Sequence, residues 1–131
     1  MTKPLAVITG ASSGIGEATA KAFSNAGYPT LLLARRIEIM ESFNLKNSIC
    51  KKIDVRDRDA LVSAIREAEK QYGPTDMMFN NAGVARLADI STQDPSEWDE
   101  MIDVNTKGVM NGIYAVMKDM KARQSGTIVN M

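Results

Sequence analysis

The sequence predicts a doubly wound α/β fold, a parallel sheet with helices packed on it. Three observations predict it. Short apolar runs recur along the 131 residues, among them Leu5-Ala6-Val7-Ile8, Leu31-Leu32-Leu33-Ala34, Met77-Met78-Phe79 and Ile128-Val129. Each is too short for a buried helix and reads as a strand covered on both faces. Between the runs lie segments with apolar residues at helical spacing, such as Leu61, Ala64, Ile65, Ala68 and Tyr72. Strands alternating with helices form parallel sheets, because parallel neighbours need a long crossover. The third observation is a glycine-rich turn, Thr9-Gly10-Ala11-Ser12-Ser13-Gly14-Ile15-Gly16, between the first strand and the first helix.

Composition narrows the functional classes. A chain of 131 residues with 44% apolar content supports one domain with a real core, assigned to residues 1–131. Zero formal net charge gives no support for nucleic-acid or membrane-surface binding. No apolar run reaches the length of a membrane span, and no signal-peptide pattern opens the chain. A lone cysteine, Cys50, excludes an internal disulfide and fits a reducing, cytoplasmic setting. With no histidine in the chain, Cys50 reads as a small buried apolar residue, and most catalytic zinc sites and Ser-His-Asp triads are disfavoured.

The turn carries the functional signal. A helix start has unpaired backbone N–H groups and a positive dipole end, which suit a pyrophosphate. Glycines let the turn be tight and let phosphate approach the backbone. Gly10, Gly14 and Gly16, preceded by Thr9, depart from the common G-x-G-x-x-G spacing. The spacing T-G-x-x-x-G-x-G resembles that of the short-chain dehydrogenase/reductase family. Gly10, Ser12, Ser13, Gly14, Ile15 and Gly16 are therefore expected to hold the cofactor.

The first helix is expected to bury Ile15, Ala18, Ala22, Phe23 and Ala26, and Gly27 stops it. The second strand spans Tyr28–Ala34, with Pro29 tolerated at its start. It ends in Arg35-Arg36, where an acidic residue would bind the adenosine ribose diol and arginine accepts a 2′-phosphate. This favours NADP(H) over NAD(H). A short helix begins at Ile37, and Ser48–Ile53 reads as a third, less apolar strand at an edge. Asp54-Val55 follows, and the resemblance implies that it lies along the adenine, with Asp54 accepting from the exocyclic amine.

Asp57 or Asp59 caps the next helix, which Gly73-Pro74 ends. The fourth strand, Asp76–Phe79, runs into Asn80-Asn81-Ala82-Gly83. This matches the family's N-N-A-G segment. The resemblance implies that its amides tie neighbouring strands and that Ala82 and Gly83 form a small floor under the adenosine ribose, with Asn81 beside them in the cofactor site. Val84–Thr92 reads as a loop. Asp94, Pro95 and Glu97 then open a long helix whose Trp98, Met101, Ile102, Val109, Ile113, Val116, Met117 and Met120 read as core or helix contact. Gly108 and Gly112 within it suggest close backbone approach.

Asp103-Val104-Asn105 resembles the family's N-V-N or D-V-N segment, whose last Asn belongs to the catalytic set and holds a water in a proton relay. That implies a catalytic role for Asn105. The family's reaction also needs a Ser and a Tyr-x-x-x-Lys pair beyond the fifth strand. Tyr114 and Lys118 have that spacing, but they precede the fifth strand and are set aside as an ordinary helical pair. The fifth strand, Gly126–Met131, ends where the family's Ser would begin.

The resemblance thus covers the N-terminal half of the family's domain, with an expected strand order 3-2-1-4-5 of the Rossmann type. It implies an oxidoreductase moving hydride between NADP(H) and a carbonyl or secondary alcohol. It also implies a homo-oligomer, and a given chain that is a truncated, cofactor-binding half, inactive alone. The alternatives are a naturally short, non-catalytic nucleotide-binding or interaction module, and a partner chain that supplies the missing half.

Overall fold

Five parallel strands form one sheet in the order β3-β2-β1-β4-β5 in the computed structural model, which describes residues 2–131. The strands are β1 (Leu5–Thr9), β2 (Thr30–Ala34), β3 (Ser48–Lys52), β4 (Thr75–Asn80) and β5 (Thr127–Asn130). The crossovers carry α1 (Gly14–Asn25), α2 (Ile37–Glu41), α3 (Arg58–Tyr72), α4 (Pro95–Ile102) and α5 (Gly108–Arg123). A π-helical turn, Asp103–Lys107, joins α4 to α5.

Strand periodicity divides the core between two faces. Leu5, Val7, Leu31 and Leu33 pack with Leu61 and Ile65 of α3 and Val116 and Met120 of α5. Ile8, Leu32, Ala34 and Phe79 pack with Ala20 of α1 and Met40 of α2. Alternate residues of one strand thus enter different layers, so β1 and β2 are apolar apart from Thr9 and Thr30 at their ends. Each fully buried Leu or Ile contributes about 1.5–3 kcal/mol. The edge position of β3 leaves it only partly buried. Cys50 is half-buried in it, and burial pushes its thiol pKa up.

Two local expectations need correction, and one left open between two residues is decided. α1 does not bury the stripe of Ile15, Ala18, Ala22 and Ala26, which are exposed, while Phe23 is half-buried. It turns Gly16 and Ala20 inward instead. Only the smallest side chains fit there, because a Cβ on Gly16 would lie 2.1 Å from the Gly10 carbonyl oxygen. The long helix from Asp94 is not one regular helix, since the π turn divides it. Of its apolar stripe, Val116 and Met120 are core, whereas Trp98, Ile102 and Met117 are exposed. Of the two candidate caps for α3, Asp57 is the cap, accepting from the Ala60 N–H at 3.1 Å.

Two buried asparagines meet where α5 packs on the sheet, and only Asn111 ties α5 itself to its surroundings. Asn111 is buried; its Nδ2 donates to the Val55 carbonyl at 2.8 Å and its Oδ1 accepts from Arg58 Nε at 2.9 Å. Asn80 is buried too, and its Nδ2 donates to Asn130 Oδ1 at 2.9 Å, joining β4 to β5. The Asn80 Oδ1 lies against Gly112, where a Cβ would come within 1.9 Å of it. Gly112 is therefore required by close approach, but what approaches is the Asn80 side chain and not another backbone as the sequence suggested; a Cβ on Gly108 would likewise meet the Val55 side chain.

Replacing Gly112 by Ala should overpack this contact and destabilise the fold by about 1–3 kcal/mol. Urea unfolding would show it as a lower midpoint with an unchanged slope.

Candidate functional site

The site grows from the buried hydroxyl of Thr9, the last residue of β1. Thr9 Oγ1 accepts from the backbone N–H groups of Asn81 and Ala82, each at 3.0 Å, and donates to the Phe79 carbonyl at 3.4 Å. One hydroxyl therefore joins the turn after β1 to the turn after β4. Asn81 Nδ2 completes the join by donating to the Gly10 carbonyl at 3.2 Å.

Gly10 sits at φ +62° in this junction, and a Cβ there would lie 2.9 Å from Ala82 Cα. Both conformation and space thus demand glycine at that position. Gly14 also has positive φ, +55°, but faces open space. Ser13 caps α1 in extended conformation and makes no side-chain capping hydrogen bond. The first-turn N–H groups of α1 consequently keep their capacity for an anion.

The parallel strands end together around a cleft of about 540 Å³. Its lining includes Gly10, Ser12, Ser13, Arg35, Arg36, Asp54, Val55, Asn81, Ala82 and Gly83. Four separate turns are thus brought to one place. Gly14, Ile15, Gly16 and Asn105 lie outside the lining. Ile15 is largely exposed at the start of α1, and Gly16 is spent on packing against Gly10. Leu33, Ala34, Ile53, Val84 and Val104 complete the lining and had not been singled out. The general rule that ligands sit beyond the carboxyl ends of parallel strands could have found the first three.

Asn105 occupies the middle of the π turn, which explains an asparagine inside a helical segment. Its Oδ1 accepts from the Val84 N–H at 2.8 Å and its Nδ2 donates to the Val84 carbonyl at 2.7 Å. The amide is therefore engaged with one backbone unit on both sides. It holds the wall of the cleft next to Gly83, whose Cβ would lie 3.2 Å from Asn105 Oδ1. Tyr114 and Lys118 line a different groove, between α3 and α5, and not this cleft.

Charge is unevenly placed. Arg35 and Arg36 follow the end of β2, are exposed, and have no carboxylate within salt-bridge distance among the described residues. Asp54 does have a partner. Arg56 Nε donates to its Oδ1 at 3.0 Å, Arg56 Nη2 donates to its Oδ2 at 2.6 Å, and the Arg56 N–H adds a bond to Oδ1 at 3.0 Å. The Arg56 guanidinium holds the Asp54 carboxyl below the usual carboxylate range, against a smaller upward push from burial. Among the described residues no group of acidic, His or Cys side chains gathers to hold a metal, and no helix is long and apolar enough to cross a membrane.

A parallel sheet in this strand order, with a glycine junction at a helix start and a cleft over the strand ends, defines a doubly wound α/β domain of the Rossmann type. The family model for short chain dehydrogenases matches residues 4–131, and the chain belongs to that family. It is 40% identical over 129 residues to an uncharacterised oxidoreductase of Listeria monocytogenes, covering 94% of this chain and 52% of that protein. It is 36% identical to the acetoacetyl-CoA reductase of Paracoccus denitrificans, covering 97% and 53%. A metagenomic short-chain oxidoreductase solved with NADP superposes with a TM-score of 0.88 at 30% identity, over 97% of this chain and 61% of that one. The chain spans about half the length of the curated relatives it matches.

Replacing Thr9 by Val keeps its shape and strands two backbone N–H groups. It should cost about 1–3 kcal/mol in thermal unfolding, and Thr9→Ser should recover most of the loss. Asp54 should titrate below an ordinary carboxylate by NMR, and Arg56→Gln should move its midpoint up. Because the folded pKa is the lower one, the small stability that this exposed pair adds is present at neutral pH and lost as pH falls through that lowered value.

Proposed function

We propose that this chain forms the NADP(H)-binding part of a short-chain oxidoreductase. The observation that carries the reading is the join of Gly10, the α1 start and the Asn81–Gly83 turn around one cleft, with two carboxylate-free arginines on its rim. The fit is steric as well as electrostatic. The glycine at position 10 keeps backbone within reach of a pyrophosphate, and Ser12, Ser13 and the first turn of α1, with Gly14, Ile15 and Gly16, supply donors. Arg35 and Arg36 would take the 2′-phosphate, which favours NADP(H) over NAD(H). Asp54 and Val55 would flank the adenine, and Asn81, Ala82 and Gly83 would underlie its ribose.

The bound nicotinamide would supply hydride chemistry, and the substrate of the whole protein would be a carbonyl compound or secondary alcohol. No Tyr or Lys lines the cleft, so these residues hold the cofactor rather than protonate the substrate. Asn105 is assigned to the catalytic set through the Val84 turn that it fixes. The exposed Met110, Tyr114 and Met117 of α5 are assigned to contact between copies in a homo-oligomer. The alternative of a non-catalytic binding module predicts the same cofactor site without turnover.

Fluorescence titration of the 131-residue chain tests this. NADPH should bind saturably and more tightly than NADH, and absence of binding by either would refute the assignment. Replacing Arg35 and Arg36 by Ala should weaken NADPH by about 1.5–3 kcal/mol and leave NADH nearly unchanged.

A further inference from the structure

Among the described residues, Asp54 is the only acidic one that lines the cleft. It stands close to the arginine end. Ala34 and Lys52 are register partners in β2 and β3, and the Ile53 N–H donates to the Ala34 carbonyl at 3.1 Å. Arg35 and Arg36 therefore leave β2 beside Ile53 and Asp54 leaving β3. A bare carboxylate at that place would attract the arginines and repel a phosphate dianion. Arg56 does not line the cleft, yet its guanidinium forks onto both Asp54 oxygens.

We propose that Arg56 is a specificity-determining positioning residue: by pairing with Asp54 it cancels the cleft's one carboxylate and leaves Arg35 and Arg36 free for the phosphate of a 2′-phosphorylated adenosine. The proposal rests on the cofactor reading above. Its chemistry is charge neutralisation through a fixed geometry. The planar fork of arginine satisfies both oxygens at once, which a lysine ammonium cannot do with the same geometry. The pair also orients Asp54, because the Arg56 backbone N–H adds a third direction of constraint. Arg35 contributes a further, smaller downward influence on the same carboxyl, so the two groups feel each other. Removing Arg56 would turn Arg35 toward Asp54 and away from the ligand.

The test is a binding cycle read as the ratio of NADH to NADPH dissociation constants by nicotinamide fluorescence. The proteins are the wild-type chain, Arg56→Gln, Asp54→Asn and the double variant. Arg56→Gln should lower the preference for NADPH about fivefold, the size of one partly screened charge, with NADH affinity little changed. The double variant should regain the wild-type ratio, because the carboxylate to be cancelled is gone. Any loss of an adenine contact in Asp54→Asn acts on both cofactors and drops out of the ratio. Arg56→Lys, which keeps the charge and loses the fork, should fall between wild type and Arg56→Gln. An unchanged ratio in Arg56→Gln overturns the proposal. A double variant as poor as Arg56→Gln also overturns it, since Arg56 would then act on the phosphate directly. A wild-type chain that binds neither cofactor defeats the cofactor reading itself and the proposal with it. The exposed pair contributes little to folding, so the variants should keep the wild-type circular dichroism.

Discussion

The buried hydroxyl of Thr9 is the constraint on which the site depends. Two backbone N–H groups after β4 have no other partner at that place, and a single oxygen from β1 accepts both. Leaving such groups unpaired costs more than an ordinary hydrogen bond returns, so the two turns are held together by necessity. Everything that lines the cleft on that side follows from this join. The Asn81 amide can reach the Gly10 carbonyl only because the turns already meet.

The site is shaped as much by missing side chains as by present ones. Gly10 and Gly16 lie where a methyl group would strike backbone, and Gly83 leaves just enough room for the Asn105 amide. Polar side chains then occupy the remaining approaches. Asn81 serves the first turn, Asn105 serves Val84, and Asn111 serves Val55 from α5. Asparagine suits these tasks, because one short side chain carries both a donor and an acceptor, and Asn105 uses both on one backbone unit. Three turns are thereby fixed by amides that belong to other elements, and the cleft inherits its geometry from them.

Much of this was legible in the sequence. The five strands appear where short apolar runs end in turn residues, and their order follows from the family resemblance. Gly10, Ser12, Ser13, Arg35, Arg36, Asp54, Val55 and the Asn81–Gly83 turn were readable because each stands directly after a strand. What escaped reading was long-range. Nothing local says that Thr9 will serve residues more than seventy positions away, or that Arg58 and Val55 will meet Asn111. The Arg56 fork is two residues from Asp54, but a pair at that spacing forms only when the loop bends to allow it. The apolar stripe of α1 misled because Ile15 and Phe23 dominate any reading by hydrophobicity, in which glycine carries no weight. Close approach to the sheet selects Gly16 and Ala20 nonetheless.

The π turn has a consequence for how the sequence of this region should be compared with others. A turn of that kind accommodates one residue more than the regular helix, and each residue of a helix turns it by about 100°. Asp103–Lys107 therefore acts as a phase shift between α4 and α5. A helical wheel drawn through Trp98 and Met120 superimposes two faces that the molecule keeps apart. Loss of a single residue here would leave a smoother helix and a rotated α5. Val116 and Met120 would swing away from the sheet, and Asn111 would no longer point at Val55. The segment should accordingly tolerate exchange of residue types far better than any change in its length.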